Sequence, residues 1–189
     1  MSDQVINKIN KLTNVESFIQ INHFKGYKYI DKAGELVNFF YKDEEPPRFS
    51  MDLRGLLIYT PNEKTEEIKI SPEAFWAHFI NPESLDSIQH NVLSFLPKTL
   101  DIIEVKQINR IGWRNYFIHE FNTDSDREKC FLKFQPFENQ KFEGVTFVKD
   151  YPTISTKYRL SRVKKTEKDD SYGLLLDLDF SKKYNPLLS

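Results

Sequence analysis

The segment Asp101–Lys106, DIIEVK, holds the residue types of a metal-dependent phosphodiesterase centre. Such nucleases set an Asp on one strand and Glu-x-Lys on the next, so that two carboxylates hold Mg²⁺ while the lysine stabilises charge developing on the phosphate. Read as a strand, the segment turns Glu104 and Lys106 to one face. Asp101 is too near on the same strand to supply the first acid, and Asp86 falls in an expected helix. Glu-x-Lys triplets are common on solvated strand faces, so this one reads as surface, and a Mg-dependent nuclease using Glu104, Lys106 and an acidic partner is the lesser alternative.

A second pair of carboxylates, Asp177 and Asp179, stands on one face of the expected strand LLLDLDF, where two acids could share a metal or exchange a proton. No third ligand follows at a recognisable spacing. Arg110 and Arg114 in INRIGWRNYF flank Gly112 and share a strand face, which suits forked hydrogen bonds to Asp177 and Asp179 on a neighbouring strand. That structural ion-pair network is the favoured reading. Asp52 and Arg54 in MDLRGL repeat the acid–base pairing within one expected strand.

The histidines, His23, His78, His90 and His119, match no zinc spacing, and the single Cys130 can complete neither a structural metal site nor a disulfide. Placed in a strand-like run, Cys130 reads as a small packed hydrophobe. Neither a metal nor a cofactor is expected. Lys157, Arg159, Arg162 and Lys164 interleave with Tyr158 in TKYRLSRVKK, the pattern of a strand that could meet single-stranded nucleic acid. The acidic EKDD that follows weakens any positive field there, and an edge kept soluble by its charges is the plainer reading. Among the aromatics, Trp76 and Phe40 are the expected anchors at a partner surface.

These residues belong to a chain of 189 residues, long enough for one substantial core and short for two independent ones. The expected organisation is a single α+β domain over 1–189, with 1–100 and 101–189 as its halves. Twenty-seven Lys and Arg against 28 Asp and Glu leave no global positive field, so nucleic acid is not the favoured partner. Sixteen Phe within a 39% hydrophobic chain exclude a disordered one. MSDQVINKINKL lacks the apolar core of a secretory signal and no run is long enough to cross a bilayer, so a cytoplasmic protein without a membrane partner is expected.

The elements that must position these groups begin with a short amphipathic helix over 2–12, carrying Val5, Ile6, Ile9 and Leu12. GYKYIDK, ELVNFFYK and RFSMDLRGLLIYT read as strands, with Gly34 in a hairpin turn, and EIKI as another. Ser71-Pro72-Glu73 and Asn81-Pro82-Glu83 each read as a helix start. The first helix would present Phe75, Trp76 and Phe79, and the second would run to Pro97. Strands then follow at 102–121, 129–137, 141–150, 153–165 and 172–181, with NTDSDRE, FENQ, DYP and KKTEKDDS as breaks. The sum is mainly antiparallel sheet around a central helix pair.

RFSMDLRGLLIYT, INRIGWRNYF and YGLLLDLDF, in that order, resemble a sporadically distributed bacterial protein family of unknown function. Its members carry an Arg-Ile-Gly-x-Arg-Tyr-like strand after an aromatic helix and a Leu-Asp-x-Asp strand near the end. The likeness covers residues 27–184, and departs from the pattern in placing Asn115 before Tyr116. It implies the layout and no activity, and the patchy distribution is compatible with mobile-element or defence-associated gene sets. With no phosphate loop, metal spacing or assembled triad, the expected function is a non-catalytic protein-interaction or assembly subunit of a multi-protein system with an unidentified protein partner. A nucleic-acid-binding module is the main alternative.

Overall fold

The computed structural model describes residues 12–23, 26–40, 48–59, 67–134, 144–150, 152–164 and 172–184. Among them, nine strands of antiparallel sheet and four helices make an α+β fold. The expected N-terminal helix over 2–12 lies, but for Leu12, outside the described residues, as do FENQ and residues 165–171 of KKTEKDDS. The chain divides into two compact units that are discontinuous in sequence: Glu16–Arg114 with the described residues from Ser181, and Asn115–Phe180 with those before Glu16.

In the first unit, β1 (Thr13–His23) enters from the N-terminal side and pairs with β5 (Ala74–Ile80), Ile19 opposite Ala77 and Ile21 opposite Phe75. β2 (Arg48–Asp52), β3 (Gly55–Tyr59) and β4 (Glu67–Ile70) continue the sheet in the order β2-β3-β4-β5-β1. Alternation turns Ile19, Ile21, Leu56, Ile58, Ile68, Ile70, Phe75, Ala77 and Phe79 to one face, where all are buried. Three helices cover them: α1 (Lys28–Asp31), α2 (Ala33–Phe40) and α3 (Leu85–Ile102).

Two stretches expected as strands are therefore helices. GYKYIDK and ELVNFFYK are rich in Tyr, Ile, Val and Phe, which favour sheet, yet Tyr29, Leu36 and Phe40 are the buried positions and fit a helical stripe. Burying that stripe against the sheet outweighs propensity differences of under about 1 kcal/mol per residue. Gly34 lies inside α2 with open space where a Cβ would stand, and makes no hairpin turn.

The reverse correction applies to Ser71-Pro72-Glu73, which opens β5 rather than a helix, so one central helix replaces the expected pair. Ser71 Oγ accepts from the Glu73 and Ala74 amides at 3.4 and 3.0 Å, the same bonds a helix cap would use, but here they close a turn between two strands. In the following AFWAHFI, Phe75, Ala77 and Phe79 are buried, and between and after them Trp76 is exposed and His78 and Ile80 half-buried. α3 starts at Ser84, whose side chain and that of Ser87 cap each other's amides, three residues after Asn81. Pro97 does not close it. Pro97 and Leu93, whose carbonyl loses its amide donor there, are both exposed, and the helix continues to Ile102.

β6 (Ile108–Phe121) passes from the first unit into the second, which holds α4 (Asp124–Leu132), β7 (Gly144–Asp150), β8 (Ser155–Lys164) and most of β9 (Tyr172–Lys183). Residues 129–132 of the strand expected over 129–137 are the end of α4, and 135–137 lie outside the described residues. NTDSDRE is the start of α4, with Thr123 Oγ1 accepting from the Asp126 amide at 3.1 Å and acids in the first turn. Cys130 is consequently a half-buried helix residue beside a small core of Phe131, Val145 and Leu174. No described helix is long and apolar enough to cross a membrane.

Candidate functional site

The first unit contains a pocket of about 530 Å³. Its walls come from four separate segments: His23 at the end of β1, Gly26 with Lys28 and Tyr29 of α1, Ser71 of the β4–β5 turn, and Ile103–Gln107 after α3. Two main-chain hydrogen bonds tie the first and second to the third, from His23 N to Glu73 O at 2.9 Å and from Gly26 N to Pro72 O at 2.8 Å. Tyr29 is fully buried, its hydroxyl donates to the Asp52 carbonyl at 3.2 Å, and burial is the main cause that pushes its pKa above the usual phenol value.

The fourth wall is shaped by the way α3 ends. The Glu104 amide donates to Asp101 O at 3.0 Å and the Val105 amide to Leu100 O at 2.9 Å, the paired bonds of a Schellman motif. That motif needs a left-handed residue at its turn, which is usually glycine. Here the position is Glu104, with φ of 56°. Its carboxylate stands 3.3 Å from Lys28 Nζ at the pocket, and Lys106 is a second cation on the same wall.

DIIEVK is not the strand expected to turn Glu104 and Lys106 to one face: Asp101 is on a helix, Glu104 in the turn after it, and Lys106 in the connection to β6. Among the described residues no three His, Cys, Asp or Glu side chains gather as a metal site.

The second feature of this unit is the edge strand β2, exposed along its whole length. Phe49 and Met51 lie opposite the buried Ile58 and Leu56, so they continue the face that the helices cover elsewhere, yet they are 56% and 47% exposed. Leu53 in the β2–β3 turn is 77% exposed. The Asp52 carboxylate holds that turn, accepting from the Arg54 and Gly55 amides at 2.7 and 3.2 Å and from the Arg54 guanidinium at 2.9 and 2.8 Å. The pairing expected of Asp52 and Arg54 thus exists, across a turn. The bonds from Arg54, side chain first, hold the Asp52 carboxyl below the usual range.

Of the two expected anchors, Trp76 is on β5 and 41% exposed, with Lys69 Nζ 5.4 Å from its ring centroid. Phe40 is a correction: it is buried in the core, edge-on to Phe39 and Phe95, and offers a partner nothing. Arg110 and Arg114 lie in the first unit, Asp177 and Asp179 in the second. Arg110 folds back beside Gly112, where a Cβ would stand 3.2 Å from its Nη2. Asp177 is buried and Asp179 half-buried.

In the basic strand β8, Lys157 and Arg159 are exposed on one face, opposite Val148 and Thr146 of β7. Tyr158 and Phe147 pair on the other face, so charge and rings are divided between faces. Arg162 is committed within the fold: its Nε and Nη2 donate to the two Glu128 carboxylate oxygens at 2.7 and 2.8 Å, and its guanidinium lies 3.8 Å from the Phe131 ring centroid. Lys164 ends β8. The other conspicuous polar pair, His78 Nε2 and Glu16 Oε1 at 2.7 Å, stands on the sheet face opposite the buried one, with Phe18 stacked on the imidazole.

No protein-family model matches this chain, and no curated protein sequence matches it.

Proposed function

We propose that the chain is a non-catalytic protein-interaction or assembly subunit, and that β2 receives an extended segment of a different protein as an added strand. The observation that carries this reading is the exposed apolar edge Arg48–Asp52. An edge strand presents a row of main-chain donors and acceptors, which soluble proteins ordinarily blunt with charge, proline or cover. Within β2 the alternate positions Phe49 and Met51 are apolar instead, and Leu53 follows them into the turn. Main-chain pairing would supply affinity, and alternate apolar side chains resting beside Phe49 and Met51 would supply selectivity. Trp76 offers a further aromatic contact on the opposite face.

The experiment compares the tagged wild-type chain with Phe49→Lys/Met51→Lys after recovery from the host cell. These side chains are already in water, so the double variant should fold with stability changed by no more than about 0.5 kcal/mol per site. The wild type should retain a stoichiometric protein that the variant loses. Retention by both, or a wild-type chain that is recovered alone and is monomeric, refutes the reading. A concentration-dependent homodimer abolished by the substitutions would replace the foreign strand with a second copy.

A further inference from the structure

We infer that the pocket bounded by Lys28, Tyr29, Glu104 and Lys106 binds a small organic carboxylate with an apolar body, and that the Glu104 carboxylate occupies the place of the ligand's carboxylate when the pocket is empty. The argument begins with a residue in an unfavourable conformation. A helix end closed by a Schellman turn is best served by glycine, and any other L-residue bears a cost of about 1 kcal/mol there. Glu104 nevertheless takes the left-handed position, and the consequence is a carboxylate set 3.3 Å from Lys28 Nζ.

That ion pair does little for the fold. Its side chains are about half exposed, at 50% and 52%, and pairs of this kind contribute little in water. Residues held in sparsely populated backbone regions concentrate at sites where ligands bind. An incoming carboxylate would take over the contact with Lys28 of α1, and Lys106, from the wall that carries Glu104, adds a second cation to the lining. The two lysines outnumber the one carboxylate among the lining residues, so an anion is favoured once Glu104 has moved aside.

The remaining lining defines the rest of the ligand. Ile103, Val105 and the ring of Tyr29 are apolar, and a volume of about 530 Å³ is that of a small-molecule site rather than of a single ion. A carboxylate on a short hydrocarbon fits both the charge and the surface. Although the Tyr29 hydroxyl bonds to Asp52 O at the end of β2, the readout does not involve a partner protein, so the inference stands or falls independently of the proposed function.

The test is titration of the full chain with hexanoate, followed by amide shifts of residues 103–107 and by the ring resonances of His23. Saturable shifts confined to the pocket are expected. Lys28→Gln and Lys106→Gln should each weaken binding about fivefold, the equivalent of one partly exposed charge contact. Glu104→Gln, which removes the competing carboxylate and keeps the side-chain length, should tighten it by a similar factor, a gain that no unfolding artefact can produce. Non-saturating shifts, equal shifts with chloride, or unchanged affinity in Glu104→Gln would overturn the inference. So would tighter binding of inorganic phosphate than of hexanoate, because the apolar wall would then be irrelevant.

Discussion

Replacing Arg162 by Met tests whether this arginine belongs to the scaffold or to a nucleic-acid surface. Met keeps an unbranched apolar stem in place of the arginine's and removes the fork on Glu128. A hydrogen bond to a charged group contributes about 1.5–3 kcal/mol when well buried, whereas ion pairs in open water contribute about 0.2–1 kcal/mol. The Arg162 and Glu128 side chains are 24% and 33% exposed, which puts the bidentate pair between these limits, at about 1.5 kcal/mol. The guanidinium over the Phe131 ring adds about 0.5 kcal/mol. Glu128 keeps its contacts with Arg127 at 3.3 and 3.1 Å, so the substitution does not strand a carboxylate and the sum stays near 2 kcal/mol. In a chain of this size that corresponds to a fall in Tm of about 4–8 °C.

The assay is urea denaturation followed by circular dichroism, for the wild type, Arg162→Met, Glu128→Gln and the double variant. The cycle should return a coupling of about 1 kcal/mol or more. Its pH dependence has a definite sign. The Arg162 hydrogen bonds are the first cause holding the Glu128 carboxyl below its ordinary value of 4.5, so the folded state binds that proton less readily than the unfolded chain. The stabilisation is complete above the ordinary value and is lost as pH falls through the depressed folded one. A coupling under about 0.3 kcal/mol, or one unchanged on acidification, would refute the scaffold assignment.

Gly55→Ala should destabilise by about 2 kcal/mol, because the new Cβ would meet the Ile70 carbonyl oxygen at 2.8 Å and that atom is fixed in the sheet; thermal melting measures it. Glu104→Gly should raise stability by up to about 1 kcal/mol in the same assay, since glycine adopts the left-handed turn freely. Phe40→Ala should cost about 3–5 kcal/mol. Trp76→Ala should cost much less while impairing partner capture, and similar losses of stability from the two would refute the placement of Phe40 inside and Trp76 outside.

Local chemistry made the short-range features readable from the residue order. EIKI, the helix after Asn81-Pro82-Glu83 and the strands containing Arg110–Arg114 and Asp177–Asp179 were legible because their patterns and caps are local. MDLRGL misled: it reads as part of one strand, yet Asp52 accepts from the Arg54 and Gly55 amides and the Arg54 guanidinium and turns the chain between β2 and β3. Ser71-Pro72-Glu73 misled because its hydroxyl makes the same bonds in a turn as in a cap. The short apolar runs around Tyr29 and Phe40 misled because β-rich composition and a helical stripe coincide there.

No amount of local pattern could reveal the pocket or the edge. Main-chain bonds between distant segments tie His23 and Gly26 to the turn at Ser71, Lys28 meets Glu104 through a side-chain ion pair, and Arg162 finds Glu128 across 34 positions of chain. The left-handed turn at Glu104 leaves no trace in DIIEVK, where glycine would have announced it. Phe40 and Phe49 are the same residue type in similar company. One is covered by α3 and the core while the other is left in water, and burial of that kind is a property of which surfaces meet, set by the packing of helices on the sheet.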